Sequence, residues 1–323
     1  MESVETTQAE RVAQASPRCR RARTAPALWA NRNFLLLWSG QFVSQMGDRL
    51  YYIAFPWLVY GATDSALSTG IALALYTLPY LLFGMFAGVI IDRFDKRRVM
   101  LAAEILRTAI VLLVPVAAAY ALWSVFVLSF AVASLTVIFD PAKLSLLPDL
   151  VTERQLMRAN SFLASAETLT EVLGYAGAGF LLATVSTTTA FRVDAVTFFV
   201  SAVTLVLMSY RRPTRAAERA ARSFSRELRE GFAYIRHHTG LLANTMLAVF
   251  IALGLGAALP LTFFLAVTVL GNGDQTGELD FGIASFGIFE AAIAVGYLTG
   301  SLVVAGLAGR LRVGRAIIAG FAV

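Results

Sequence analysis

The sequence holds one cysteine, Cys19, so it has no internal disulfide and no thiol metal site. Charge is scarce too: 15% of the 323 residues are Asp, Glu, Lys or Arg, against about 25% in ordinary soluble domains. No G-x-x-x-x-G-K-[ST] loop is present, so nothing in this sequence cradles ATP phosphates. No H-E-x-x-H or G-x-S-x-G stretch offers a zinc site or an activated serine. No selectivity-filter sequence points to a channel. These absences argue against an enzyme, a bound metal and a bound cofactor. Any work done by this chain must then draw on an ion gradient, worth about 2.3 kcal/mol per charge per 100 mV.

What the sequence has is apolar length. Hydrophobic residues make up 58%, gathered in runs long enough to cross a bilayer. Eight complete spans are expected, at about 34–60, 66–91, 99–122, 124–148, 158–184, 190–210, 241–270 and 281–308. A ninth starts near Ala316 and is cut short at Val323, as in a truncated chain or fragment. The fold class expected is an all-α polytopic membrane protein. Residues 1–31 form a basic cytoplasmic tail, expected to be disordered, with Arg18, Arg20, Arg21 and Arg23 near anionic headgroups. No cleavage pattern marks it as a signal peptide.

The net charge of +6 lies in the loops, which sets orientation and gives no reason to invoke nucleic acid. Loops after spans 1, 3, 5 and 7 carry no Lys or Arg, and the last holds Asp274, Glu278 and Asp280. The opposite side carries the tail, Arg93 to Arg98, Arg154, Arg158, a basic stretch from Arg211 to Arg236, and Arg310, Arg312 and Arg315. The N-terminus is therefore expected in the cytoplasm. In the 211–240 connection, Phe224, Leu228, Phe232 and Ile235 fall on one helical face, the pattern of an interfacial amphipathic helix. His237 and His238 read as surface polar residues.

The stretch GMFAGVIIDRFDKRR, Gly84 to Arg98, ends the second span abruptly in charge. Its spacing of Gly88, Asp92, Arg93 and Arg97 resembles the signature loop between helices 2 and 3 of the major facilitator superfamily. That family usually has Gly where this chain has Asp95. The 211–240 connection is similar to the family's linker between two six-helix halves. Pro56 and Pro260 lie in matching stretches, as in parallel repeats. SQMGDRLYYIAFPWLVY, FDPAKLSLLPDLV and RANSFLASAETLTEVLG look like the bacterial branch that includes macrolide-efflux and enterobactin-export transporters. The resemblance implies an N-terminal six-helix bundle over 32–210 and the start of a C-terminal bundle over 241–323. It also implies that Asp92, Arg93 and Arg97 act as a gating latch.

Charges inside spans are costly and so are candidate functional groups. Asp48 lies midway along span 1; it reads equally as a proton or cation site and as a structural partner of Arg107. Arg49 diverges from it by about 100° on a helix. Glu104 with Arg107, and Asp140 with Lys143, have the i,i+3 spacing of structural pairs. Glu167 and Glu171 share one face of span 5, with no Lys or Arg within a turn. Two like charges so close in a low dielectric do not comfortably both ionise, which suits proton coupling. Glu290 is a lone carboxyl midway along span 8. Arg192 and Asp194 read as an outer gate or anchor. Gly174, Gly177 and Gly179 allow close helix packing.

These readings lead to one expectation. The chain is a monomeric, proton-coupled exporter of a small organic molecule in the bacterial inner membrane. Asp48, Glu167, Glu171 and Glu290 line its path. An importer of the same fold and a truncated, non-transporting fragment are the alternatives.

Overall fold

The computed structural model describes residues 28–210, 231, 233–266 and 279–307. Among the described residues, a short 3-10 turn, Leu28–Ala30, leads into eight long α-helices. They are α1 Arg32–Thr63, α2 Ala66–Arg93, α3 Lys96–Tyr120, α4 Leu122–Leu150, α5 Glu153–Thr184, α6 Thr187–Leu207, α7 Thr239–Phe264 and α8 Leu279–Leu307. Each matches an expected span. The ninth span, the anionic outer loop and most of the amphipathic stretch lie outside the described residues.

Local chemistry sets the helix ends. Asn31 starts α1, its Oδ1 accepting from the N–H groups of Asn33 (3.1 Å) and Phe34 (3.2 Å). Asp64 ends α1 in the left-handed region, φ 46°, and the Ser65 hydroxyl then accepts from the Ser68 N–H to start α2. Asp95 caps α3 by accepting from the Arg98 N–H at 3.0 Å, which gives the residue found in place of the family's glycine a local task. Helix α5 begins five residues before the expected Arg158, because Gln155 folds back on Thr152, accepting from its N–H (3.2 Å) and hydroxyl (2.9 Å). Helix α6 ends at Leu207, short of the expected 210. There Arg97 takes the Leu205 and Val206 carbonyls, each at 2.6 Å, and Ser209 donates its N–H to Asn33.

Helices α1 to α6 pack into one bundle. Helix α1 lies against α5 and α6, α3 against α4 and α6, and α2 against α4. Two apolar cores form within it. The core at the tail end draws on Phe34, Ile91, Met100, Phe139, Leu147 and Leu205. The core at the opposite end draws on Ile53, Val59, Val111, Val125 and Phe191, and also takes in Phe263 of α7 and Ile283 and Phe286 of α8. Among the described residues, α7 and α8 therefore join the bundle's core only at the end away from the tail. Gly179 of α5 and Gly287 of α8 meet there backbone to backbone: a Cβ on Gly179 would lie 2.9 Å from the Gly287 Cα.

Five of the described helices are long and apolar enough to cross a membrane by length and composition. Helices α1 and α5 fall outside that group although each has 32 residues, about 48 Å at 1.5 Å per residue. Both place polar side chains between the two apolar cores.

Candidate functional site

The polar layer is organised by two adjacent residues of α1. Asp48 and Arg49 diverge around the helix, as the 100° step requires, and serve different clusters.

Asp48 faces into the six-helix bundle, where it accepts a short hydrogen bond from Arg107 Nη2 on α3. Arg107 is 1% exposed and lies over the Phe198 ring at 3.9 Å, a cation–π contact that offsets part of its lost hydration. Its Nη1 is 3.6 Å from Glu104 Oε2. Glu104 is fully buried, and its Oε1 accepts from Ser44 of α1 (3.2 Å) and Ser201 of α6 (2.7 Å). The i,i+3 pair is thus present, but each member makes its shorter bonds across helices. Gly47 leaves room for this meeting, with Asp194 and Thr197 of α6 packed over its missing side chain.

Asp194 corrects the sequence reading. It is no outer anchor: it is fully buried against α1, with its Oδ2 lacking any partner. Helix α6 starts at Thr187, so Asp194 sits two turns inside it, whereas Arg192 is exposed.

Arg49 faces the other way, toward α5. Its Nη2 lies 3.2 Å from Glu171 Oε1 and its Nη1 donates to the Tyr175 hydroxyl at 3.1 Å. This corrects the expectation of two like carboxyls without a counter-charge. Glu171 takes its positive partner from a helix 122 residues away in sequence, and Glu167 is exposed. A pair made across helices leaves no trace in the periodicity of either one.

Beside Arg49 lies an aromatic group drawn from α1, α2, α5 and α8. Tyr52 packs on Tyr175 (ring centroids 5.4 Å) and Tyr76 (6.2 Å), and stacks with Phe286 of α8 at 6.4 Å. Glu290, one turn beyond Phe286, faces Tyr52; it is 7% exposed and its Oε1 has no hydrogen-bond partner. The sequence reading named Glu171 and Glu290 separately. The structure brings them to the same two-residue hub, Arg49 and Tyr52, which sequence reasoning left out. A five-residue run carrying Asp48, Arg49 and Tyr52 in mid-span was the available signal.

The remaining predicted residues lie apart from this cluster. Lys143 bonds Asp140 at 3.2 Å beside Pro141 of α4. Gly88 is exposed with open space around it, and Arg93 closes α2. The side chain of Asp92 lies outside the described residues. Arg97 binds the end of α6, while Lys96 binds the end of α4 through Asp149 (2.8 Å) and the Ser145 carbonyl (2.7 Å). His237 and His238 are both exposed, as expected.

A bundle of apolar helices with a charged layer at mid-depth, meeting further helices at one end, defines a polytopic membrane protein of transporter type. The family profile described as Major Facilitator Superfamily matches residues 37–323, and the chain belongs to that family. It is 26% identical over 234 residues to macrolide efflux protein A of Streptococcus pyogenes, covering 71% of this chain and 58% of that protein. The namesake from Enterococcus faecalis is 25% identical over 190 residues, 57% of this chain and 59% of that protein. The multidrug efflux pump Tap of Mycobacterium bovis is 32% identical over 183 residues, 54% of this chain and 43% of that protein. The chain thus spans about half the length of the curated relatives it matches.

Proposed function

We propose that the chain is part of a proton-coupled exporter of the bacterial inner membrane, working by alternating access on a small organic molecule of the kind its efflux-named relatives carry. The observation that carries this reading is the meeting of Arg49, Tyr52 and Glu171 of the first six helices with Phe286 and Glu290 of α8. A family of this architecture binds substrate between its halves near the bilayer midplane. Ionisable groups held there are costly unless they are used. Asp48, Glu171 and Glu290 carry the coupling, and Glu167 lies on the exposed face that leads to them. The described contacts of α7 and α8 with the first six helices gather at the end away from the basic tail, and this reading takes the tail side as the entrance. With the N-terminus in the cytoplasm, that entrance faces the cytoplasm. Gly88, Asp92, Arg93 and Arg97 form the gating turn, the 211–240 segment links the halves, and one copy suffices for transport.

Inside-out vesicles from cells expressing the gene test this reading. Acidifying the lumen should drive accumulation of a macrolide, and Glu171→Gln or Glu290→Gln should lower uptake at least tenfold at unchanged expression. Uptake that ignores the proton gradient overturns it.

A further inference from the structure

The interior of the six-helix bundle holds a group of charges of which the export reading uses only Asp48. One guanidinium, Arg107, faces three carboxyls: Asp48 of α1, Glu104 of α3 and Asp194 of α6. Of the other nearby cations, Lys143 pairs with Asp140, and Arg49 pairs with Glu171 while also acting on Asp48 through space. The remaining neighbours are neutral: Ser44 and Ser201 on Glu104, Thr197 on Asp194, the buried Tyr51 near Asp194, and the rings of Phe139, Phe198, Tyr76 and Tyr80 around Arg107 and Asp48.

The three carboxyls are not equally provided for. Asp48 has Arg107 itself. Glu104 accepts from two hydroxyls and has Arg107 beyond them. Asp194 has only the Thr197 hydroxyl at 3.4 Å, and that hydroxyl already donates to the Asp194 carbonyl at 2.7 Å. Its Oδ2 is buried with no partner. An ionised carboxylate without donors is among the least tolerable groups in an apolar interior, whereas a protonated one is neutral.

We infer that Asp194 is a proton-binding residue in the interior of the bundle, with Asp48 as its route to water and Arg107 as the counter-charge the two share. Asp48 is 22% exposed while Arg107 and Asp194 are sealed. A proton taken from water by Asp48 breaks its ion pair and leaves Arg107 to face an ionised Asp194. A proton on Asp194 leaves Arg107 to Asp48. One O–H bond forms as the other breaks, and the total charge is the same in both arrangements. The site is separate from the Arg49–Glu171–Glu290 cleft and needs no substrate.

Infrared spectroscopy of the purified full-length protein in lipid nanodiscs at neutral pH tests this. The C=O stretch of a protonated carboxyl is resolved from that of a carboxylate. Asp194→Asn should remove one component of the protonated band, and Glu167→Gln should leave it in place. A band unchanged by Asp194→Asn overturns the inference. If that variant does not fold, the wild-type protein is treated with dicyclohexylcarbodiimide, which modifies protonated carboxyls in apolar surroundings, and its peptides are weighed. An adduct on Asp194 supports the inference; labelling confined to other carboxyls overturns it. Neither readout uses a gradient or a transported molecule, so a failure here is distinct from a failure of the export reading.

Discussion

Arg107 is the largest side chain kept fully from water among the described residues. It persists there because carboxylates and aromatic faces surround it. Removing one partner of a buried ion pair is far more harmful than never having had the pair, since it strands the other charge. Arg107→Ala should therefore lower stability by about 3–5 kcal/mol, read as a drop in the midpoint of unfolding in detergent. Double replacement, Arg107→Leu with Asp48→Leu, should recover part of the loss. Equal destabilisation by both variants would show that the pair is not what the residue supplies. The sequence made Glu104 and Arg107 visible as a pair, because i,i+3 spacing can be read along one helix. It left Asp48 undecided between Arg107 and the cavity, and it misplaced Asp194. Its charged neighbours come from α1 and α3, and nothing along α6 shows that this face turns inward.

Helices carry the signals that were easiest to read. Every described helix falls on an expected apolar run, because a run of that length has few other ways to satisfy its backbone in lipid. The ends were harder. They depend on single side chains such as Gln155 at the start of α5 and Arg97 at the end of α6. Arg97→Gln removes charge-assisted bonds, each worth about 1.5–3 kcal/mol, and should speed amide exchange at residues 205–210 at least tenfold with little change in the middle of α6. Uniform exchange along the helix would contradict that role. The glycines divide likewise. Gly174 packs on Arg49 and Gly179 on Gly287, while Gly177 faces open space. Gly179→Leu should wedge α5 from α8 and lengthen a spin-label distance between Thr184 and Leu279. Gly177→Leu should leave that distance unchanged. Identical distances in both variants would mean that the crossing is not held by its missing side chains.

At the scale of the whole molecule, the account rests on sidedness. Loop charge alone assigned it, and it matters because α7 and α8 join the bundle's apolar core at the end away from the tail. With Cys19 replaced by serine, a cysteine at Arg98 should react with impermeant maleimide only after the cells are opened. A cysteine at Ser186 should react in intact cells after the outer barrier is permeabilised. Reaction of both from the same side would reverse the assignment of entrance and exit. The cleft itself was legible only in pieces: Glu171 and Glu290 stood out as charges in apolar runs, but the rings and guanidinium that join them come from α1, and a sequence does not show which helices meet.

The central claim is that proton movement and substrate movement are tied together at Arg49, Glu171 and Glu290. Inside-out proteoliposomes of the full-length protein, loaded with a pH-reporting dye and given an acidic lumen, test it directly. Adding a macrolide outside should make protons leave the lumen, and Glu290→Gln should abolish that efflux while the protein stays folded. A lumen pH that stays the same on macrolide addition to the wild-type protein would contradict the account.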